Sequence, residues 1–267
     1  MSHAYSITTP VEAICQLLPE PCRPELPPGA ASMPPQTGVY PGMVAPIVCR
    51  QDGGALRLNP VWWGMPSPQN VIWKRAKVRA DRLIERHHQA MSPDEFEELQ
   101  KAEPDPGVHN VRNTDSVHWR RWLAPQFRVV VPFNSFAEWS DLIGAGGKKH
   151  GNTWFALGEE RPPAFFAGIM APRWTSIRRV GHEAITTDLF AFLTTEPNAE
   201  VRAVQESMPV ILRTGEEIAE WLTAPWEEAR HLKRPLPDGS LRIVAIGNKE
   251  DPPEQVQEAG PVQGMLF

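Results

Sequence analysis

The sequence predicts a β-rich α+β fold built as one domain. Its 267 residues, with 41% hydrophobic and 22% charged side chains, fit a soluble globular protein of that size. Short β-type runs are numerous and do not alternate regularly with helical segments, which disfavours a doubly wound sheet. No internal repeat and no linker divides the chain, so we expect one domain over residues 1–248.

Three predicted helices begin with capping signals. In TPVEAICQLL, Thr9 is the expected N-cap, Pro10 suits the first turn, and Glu12 completes a capping box. The stretches SPDEFEELQ (92–100) and TGEEIAEWL (214–222) repeat this pattern. These segments are therefore predicted to be helical.

Apolar runs between these segments predict strands, beginning with AYSITT near the N-terminus. QDGG (51–54) predicts a hairpin turn, and GAGGKKHGN (144–152) predicts a flexible loop without the GxxxxGK[ST] spacing of a phosphate loop. The proline-rich residues 19–35 predict an irregular surface excursion, and residues 249–267 a disordered tail. The other strand-like runs are VAPIVCR, ALRLNPVWWGM, RVVVPFNSF, TWFAL, AFFAGIM, LFAFLTT, PVIL and LRIVAIG.

Composition excludes several classes of protein. The cysteines Cys15, Cys22 and Cys49 are odd in number and form no CxxC pair, so we expect neither a disulfide framework nor a metal site. No run approaches the roughly 18 apolar residues of a membrane span, and the N-terminus has no export signal. We expect a cytoplasmic monomer without a cofactor.

Basic residues are concentrated in two stretches of an otherwise acidic chain. The net charge of −5 and the pI near 5.9 disfavour bulk-charge binding to nucleic acid. KRAKVRADRLIERHH (74–88) and HWRRW (118–122) nevertheless cluster arginines, including Arg120 and Arg121. Each stretch is either a solvated helix face or a local DNA-contact patch.

Glu138 lies in the apolar stretch VVVPFNSFAEWSD. On a strand it shares a face with Asn134 and Phe136. Burial beside aromatic rings would raise the pKa of its carboxyl toward the range useful for general acid–base catalysis. The alternative is a strand-end glutamate paired with an arginine.

Two further stretches suit contacts with nucleic acid. Asn110, Arg112 and Asn113 precede a predicted helix and could bind phosphate or sugar oxygens, or could form only a capping loop. Trp62 and Trp63 could stack on unpaired bases, although adjacent strand residues face opposite sides and at least one must be in the core.

Taken together, these stretches resemble one known family. The motifs occur in the order found in the SOS-response-associated peptidase (SRAP) family, over residues 1 to about 247. They are YPGMVAPIV, VWWGMPSP, NVRNTDS followed by HWRRW, RVVVPFNSFAEW, AFFAGI, FLTTEPNAEVRAVQESMPVIL and WLTAPW.

The resemblance implies a fold and an activity. The fold is a β-rich α+β domain with a barrel-like mixed sheet core, surrounded by helices. Family members shield abasic sites in single-stranded DNA. Their cysteine, exposed by removal of the initiator methionine, captures the sugar aldehyde as a thiazolidine, assisted by a glutamate, an asparagine and a histidine. By resemblance, Glu138 and Asn110 match that glutamate and asparagine, and Arg112, Trp62 and Trp63 fall on DNA-contacting segments.

Two positions depart from the family pattern. Ser2 stands in place of the cysteine, and Gln205 stands in place of the histidine. An α-amine with a pKa of about 7.7–8.0 can still form a Schiff base with an aldehyde. A hydroxyl is a much weaker nucleophile than a thiolate, and a glutamine side chain cannot shuttle protons near neutral pH.

We therefore expect a diverged member that binds abasic sites in single-stranded or junction DNA. Its covalent chemistry would stop at a transient imine on Ser2, which can lead to lyase-type strand cleavage. A non-catalytic DNA-damage sensor or partner-binding paralogue is the main alternative. A peptidase or other hydrolase acting on proteins is disfavoured because HExxH and GxSxG are absent. An introduced change at position 2 is disfavoured by Gln205.

Overall fold

The computed structural model describes residues 3–26, 33–51, 54–143 and 149–251, without the side chains of residues 140–143 and 149–150. These residues contain strands and helices in an α+β arrangement, as the sequence predicted. The strands are β1 (Ala4–Ile7), β2 (Gln36–Val39), β3 (Val44–Arg50), β4 (Leu56–Trp63), β5 (Asn110–Val111), β6 (Arg128–Phe133), β7 (Ser135–Ile143), β8 (Lys149–Ala156), β9 (Ala164–Ser176), β10 (Ile185–Thr195), β11 (Met208–Pro209), β12 (Ile211–Leu212) and β13 (Arg242–Ile246). The helices are α1 (Val11–Leu17), α2 (Gln69–His87), α3 (Pro93–Lys101), α4 (Val117–Arg120), α5 (Ala199–Arg202), α6 (Gly215–Thr223) and α7 (Trp226–Ala229).

Five strands close into a mixed barrel in the order β4, β3, β6, β9 and β10. The closing pair, β10 with β4, is parallel and sets Phe190 opposite Trp63. Gly168 on β9 permits a close approach inside the barrel, since an added Cβ would lie 2.8 Å from a methyl of Val129. The closed ring leaves no open edge among these strands.

A second sheet packs its inner face against the barrel, in the order β13, β8, β7, β1 and β2. Its inner residues Tyr5, Phe136 and Phe155 join the main core, and the rings of Phe136 and Phe155 stack at 5.5 Å. On the outer face, Ala4 and Trp154 belong to a smaller buried cluster. Strand β7, which carries Glu138, is therefore covered on both faces.

The C-terminal strap, residues 247–251, crosses the outer face of this second sheet. The indole N–H of Trp154 donates to the carbonyl of Asn248 at 2.9 Å. The side-chain amide of Asn152 donates to the carbonyl of Lys249 at 3.3 Å. The strap covers the smaller cluster and ties β8 to the end of the described chain.

Asp251 anchors the strap to the second sheet. Its side chain is 2% exposed and pairs with Arg161, whose Nε and Nη2 lie 2.8 and 2.9 Å from the two carboxylate oxygens. The Ser135 hydroxyl donates to the same carboxylate at 2.5 Å. A buried ion pair therefore holds residues just beyond the predicted boundary at 248, which stays a prediction; residues 252–267 lie outside the described ranges.

Capping predictions were confirmed where the signal is local. Ser92 begins α3 with both hydrogen bonds of a capping box, and the Thr214 hydroxyl accepts from Glu217 N–H at the start of α6. The prediction for Thr9 was wrong. Pro10 is the N-cap of α1 without a side-chain bond, because the Thr9 hydroxyl is hydrogen bonded to Asn134 instead.

Candidate functional site

Glu138 is completely buried on β7, where its strand neighbour on β8 is Thr153. The first described residue, His3, donates its backbone N–H to the carbonyl of Ala137 at 3.4 Å. The described chain therefore begins beside the residue that precedes Glu138. Ser2, the predicted reactive residue, lies outside the described ranges.

Gln205 reaches the same strand from the barrel side of the molecule. Its Nε2 donates to the carbonyl of Trp139, the residue after Glu138, at 2.8 Å. The position of Gln205 is set by helix α5, because its own N–H bonds to the carbonyl of Val201 at 2.8 Å. The structure thus brings two of the predicted site residues together: Glu138 belongs to β7, and Gln205 contacts the next residue of that strand.

His3 and Asn152 form a contact that the sequence did not predict. His3 Nε2 lies 2.8 Å from Asn152 Oδ1, and the His3 ring meets the edge of Trp139 at 6.1 Å. An amide oxygen only accepts hydrogen bonds, so Nε2 carries the proton. Burial lowers the pKa of His3, although the bond to Asn152 opposes this effect. A neutral imidazole held by the strap-bound Asn152 therefore follows Ser2 directly.

Asn110 lies beside the C-terminal end of β10. The segment that carries Gln205 is attached to the same end of this strand. Strand β5 runs parallel to β10 and sets Asn110, which is half-buried, opposite Phe192. A few residues farther along β10, Thr195 pairs with Met208, three residues after Gln205. Asn110 and the segment that carries Gln205 are therefore attached to the same end of one strand.

Arg112 and Asn113 follow Asn110 and are exposed. The pKa of the nearby Glu196 carboxyl is lowered, first by its own backbone N–H and then by a neighbouring hydroxyl, and the charge of Arg112 contributes to the same shift. Asn113 Oδ1 accepts the N–H of Asp115 at 3.1 Å, so this side chain takes part in a local turn. Arg112 and Asn113 thus both remain candidates for phosphate contact, and Asn113 in addition stabilises the local turn.

The two neighbouring tryptophans have different environments. Trp63 is fully buried against Phe190 and Phe192, and its indole N–H donates to the carbonyl of His109 at 2.9 Å. Trp62 is half-buried beside a surface cleft. The prediction that Trp63 contacts DNA is therefore corrected, because barrel closure places its ring in the core, and Trp62 alone can stack on a base.

The Trp62 cleft has a volume of about 580 Å³ and a basic lining that the sequence did not reveal. Arg178, Arg179 and His182, from the loop between β9 and β10, line it together with Trp62. The Arg178 guanidinium lies 5.9 Å from the centre of the Trp62 ring. An aromatic face flanked by cations suits a base and its phosphates.

Asp105 joins the elements around this cleft. Its carboxylate lies 3.7 Å from Arg178 Nη1, with both side chains less than 10% exposed. It also accepts the Ser67 hydroxyl at 2.6 Å and the Gly107 N–H at 2.9 Å. Gly107 must be glycine here, since its φ is +84° and an added Cβ would lie 2.9 Å from the Cα of Gly64. These contacts fix the Asn110 segment to the end of β4.

The structure separates Arg120 from Arg121, although both are exposed and consecutive. The Arg121 guanidinium lies 3.8 Å from the centre of the Trp122 ring and 5.4 Å from that of Trp174. Arg120 lines a different cleft, beside Trp226. The two arginines therefore do not form one contact face.

His109 makes stability depend on pH. Burial and then the charge of Arg178 lower its pKa to about 4. An unfolded histidine titrates near pH 6.5, so the unfolded chain binds more protons between pH 6.5 and 4. The fold favours a neutral His109. The stability that depends on this neutral form is therefore complete above pH 6.5 and is lost as the pH falls from 6.5 to 4.

We expect the free energy of unfolding to fall between pH 7 and 4.5, and His109→Gln to reduce that fall. Urea unfolding of both proteins at several pH values is the measurement. Since burial also lowers the pKa of His3 and His118, a part of the fall should remain in the variant. Identical pH profiles for the two proteins would contradict the assignment to His109.

No group of three metal-binding side chains occurs within the part of the chain that the structure describes. Cys15, Cys22 and Cys49 are free and buried, and burial raises the pKa of each thiol. None of the described helices is both long enough and apolar enough to cross a membrane.

Comparison with known proteins identifies the family. The family described as SOS response associated peptidase (SRAP) matches residues 1–249. The chain belongs to the SRAP family. This match confirms the resemblance and covers every candidate residue of the SRAP site, from Ser2 to Gln205. The roles of Ser2 and Gln205 in this SRAP chain remain predictions.

Three solved structures share the fold, and each alignment covers 90% of this chain. One, from Bacteroides thetaiotaomicron, is 17% identical with a TM-score of 0.58 over 90% of its length. A protein from Bordetella bronchiseptica is 18% identical with a TM-score of 0.55 over 97% of its length. A phage-related protein from the same organism is 20% identical with a TM-score of 0.55 over 92% of its length. No curated protein matches the chain. The fold that the resemblance implied is thus shared with these structures.

Proposed function

We propose that this SRAP protein binds abasic sites in single-stranded or junction DNA and forms a transient Schiff base through the α-amine of Ser2. One observation carries the proposal. Glu138 is a carboxylate without solvent exposure, and the first described residue of the chain is hydrogen bonded to its neighbour Ala137. A buried carboxylate beside the start of the chain is suited to moving protons during amine chemistry.

The reaction proceeds in two balanced steps after Met1 is removed. The amine nitrogen attacks the aldehyde carbon of the ring-opened sugar, and its proton moves by way of Glu138 to give a carbinolamine. The hydroxyl then leaves as water, with the remaining proton of the nitrogen passed to it by way of Glu138, and an imine forms. Water reverses both steps. Loss of a proton from the neighbouring sugar carbon would instead break the 3′ C–O bond by β-elimination.

Two features of the site favour a short-lived adduct. Ser2 supplies a hydroxyl where the family's cysteine supplies a thiol, so ring closure onto the imine is weak. The side-chain amide of Gln205 donates a hydrogen bond to the carbonyl of Trp139. An amide neither takes up nor releases a proton near neutral pH, so Gln205 cannot act as an acid or a base. In this proposal Gln205 orients β7 and Asn110 orients the adduct.

The Trp62 cleft supplies the DNA contacts in this proposal. Stacking of one base on Trp62 is worth about 1–3 kcal/mol. Arg179 is exposed in the cleft and Arg112 is exposed beside Asn110, so cationic groups are available for the phosphates on either side. Arg178, which is paired with Asp105, supports the Trp62 ring instead. Their contribution should weaken as salt rises.

Borohydride trapping tests the proposal. Purified protein is mixed with single-stranded DNA that carries one abasic site, with and without borohydride, and run on a denaturing gel. Intact mass shows whether Met1 is absent. We expect a covalent band only with borohydride and only with the lesion. The variant Ser2→Cys should give a band that persists without the reductant.

Two other outcomes would contradict parts of the proposal. A wild-type band that is stable without reductant would contradict the transient adduct. Absence of any band from protein that lacks Met1 would contradict the covalent step and would favour a non-covalent sensor of damaged DNA.

A further inference from the structure

Helix α2 carries four arginines on one face. Arg75, Arg79, Arg82 and Arg86 are separated by four, three and four residues, which places them along one side of a helix. At about 1.5 Å per residue, this arginine stripe is about 16 Å long. It belongs to the stretch for which the sequence left a solvated face and a DNA-contact patch as alternatives.

Another side of α2 accounts for its packing. Among its residues, Ala76 and Ala80 are buried, and Trp73 meets Phe96 of α3 edge-on at 6.1 Å. These positions lie on a different face from the arginine stripe. The far half of the stripe, Arg82 and Arg86, is therefore not needed to attach α2 to its neighbour.

The charge of the stripe is only partly balanced. Arg75 and Arg79 lie 3.4 and 3.5 Å from the carboxylate of Glu103, whose side chain is 7% exposed. Arg82 and Arg86 are exposed and form no ion pair with any described residue. One carboxylate cannot neutralise four guanidinium groups. In a chain with a net charge of −5, this face is a concentrated site for a polyanion.

The composition of the face indicates which polyanion it fits. Unpaired bases are bound on aromatic side chains, but the exposed apolar residues beside the stripe are Val71 and Val78. Trp73 is partly exposed but lies on another side of the helix from the stripe, against Phe96. Cations without stacking groups suit a sugar-phosphate backbone whose bases are already paired.

Helix α2 is also fixed to the Trp62 cleft. It begins at Gln69, directly after Ser67 and Pro68. Ser67 donates both its hydroxyl and its N–H to Asp105, and Asp105 pairs with Arg178 of the cleft. The stripe thus extends from the Trp62 cleft, to which it is connected through Ser67 and Asp105.

We propose that the arginine stripe of α2 binds the phosphate backbone of a duplex DNA segment that flanks the lesion. This inference rests on the proposed function, since it gives the second half of a junction substrate its own contact surface. The unpaired strand occupies the Trp62 cleft, and the duplex arm lies along α2.

The experiment compares two DNA probes that share one single-stranded segment with an abasic site. One probe is entirely single-stranded, and the other adds a duplex arm. The variant R82Q/R86Q removes two charges at exposed positions. R213Q/R230Q is the control, because these arginines are exposed near α6 and α7. Circular dichroism verifies that all proteins are folded.

We expect R82Q/R86Q to bind the duplex-arm probe about tenfold more weakly and to lower the slope of log affinity against log salt by about two. Its affinity for the single-stranded probe should match that of the wild type and of the control. Equal weakening on both probes, or no weakening on either, would overturn the inference.

The outcomes separate this inference from the proposed function. If the wild type traps the abasic site but gains no affinity from the duplex arm, the stripe proposal fails and the proposed function stands. If the wild type traps nothing, yet binds the duplex arm through Arg82 and Arg86, the Schiff-base proposal fails and the stripe proposal stands.

Discussion

Glu138→Gln is expected to lower the rate of borohydride-dependent trapping at an abasic site by at least about 100-fold, the usual contribution of a positioned acid–base group. Glutamine has nearly the same shape as glutamate but cannot take up or release a proton near neutral pH. Because glutamine has nearly the same volume, the substitution at this completely buried position removes the ionisable group without opening a cavity. The measurement is the initial rate of adduct formation with excess single-stranded DNA.

Two controls make this result specific. Glu206→Gln changes an exposed glutamate next to Gln205 and should leave the rate within about twofold of wild type, as surface changes usually do. Binding of lesion-free single-stranded DNA, followed by fluorescence anisotropy, should be the same for all three proteins. A Glu138→Gln protein that traps DNA at the wild-type rate would exclude Glu138 from the proton transfers.

Asp251→Asn is expected to lower the free energy of unfolding by about 3 kcal/mol, in the range found when one partner of a buried ion pair is changed. The substitution removes the negative charge opposite Arg161, whose side chain is 10% exposed. Arg161 also has a left-handed backbone, with φ of +53°, which the surrounding contacts must stabilise. Urea unfolding at pH 7 measures the change.

The neighbouring residue provides the control. Glu250 is exposed and accepts a hydrogen bond from the Thr37 hydroxyl at 2.5 Å, so Glu250→Gln should cost at most about 1 kcal/mol. Asp251→Asn should also slow trapping, because the strap holds Asn152 and Asn152 holds His3. Equal stability of the two variants would show that the ion pair does not anchor the strap.

The sequence was most informative where partners are close along the chain. The capping box at Ser92 joins residues only three apart, and the structure has it as predicted. Thr9 has an equally good local pattern, but its hydroxyl bonds to Asn134, 125 residues away. Local preference was overridden there by a tertiary hydrogen bond that no local pattern reveals.

The candidate site shows the same limit. Alternation along β4 predicted that Trp62 and Trp63 face opposite sides, but which of them is buried depends on how β10 closes the barrel. Glu138 was identified from its apolar surroundings. His3 with Asn152 and Asp105 with Arg178 were not, because each pair joins residues that are distant in sequence.

The C-terminal strap has a consequence for how the protein is made. Strand β1 leaves the ribosome well before its neighbour β7, and the strap follows later still. The residues beside β1 therefore remain accessible to processing enzymes until β7 has been synthesised. The sheet beside Glu138 can be completed only after the strap has been synthesised, so a chain that stops before the strap lacks the contacts that hold Asn152 and His3 in place.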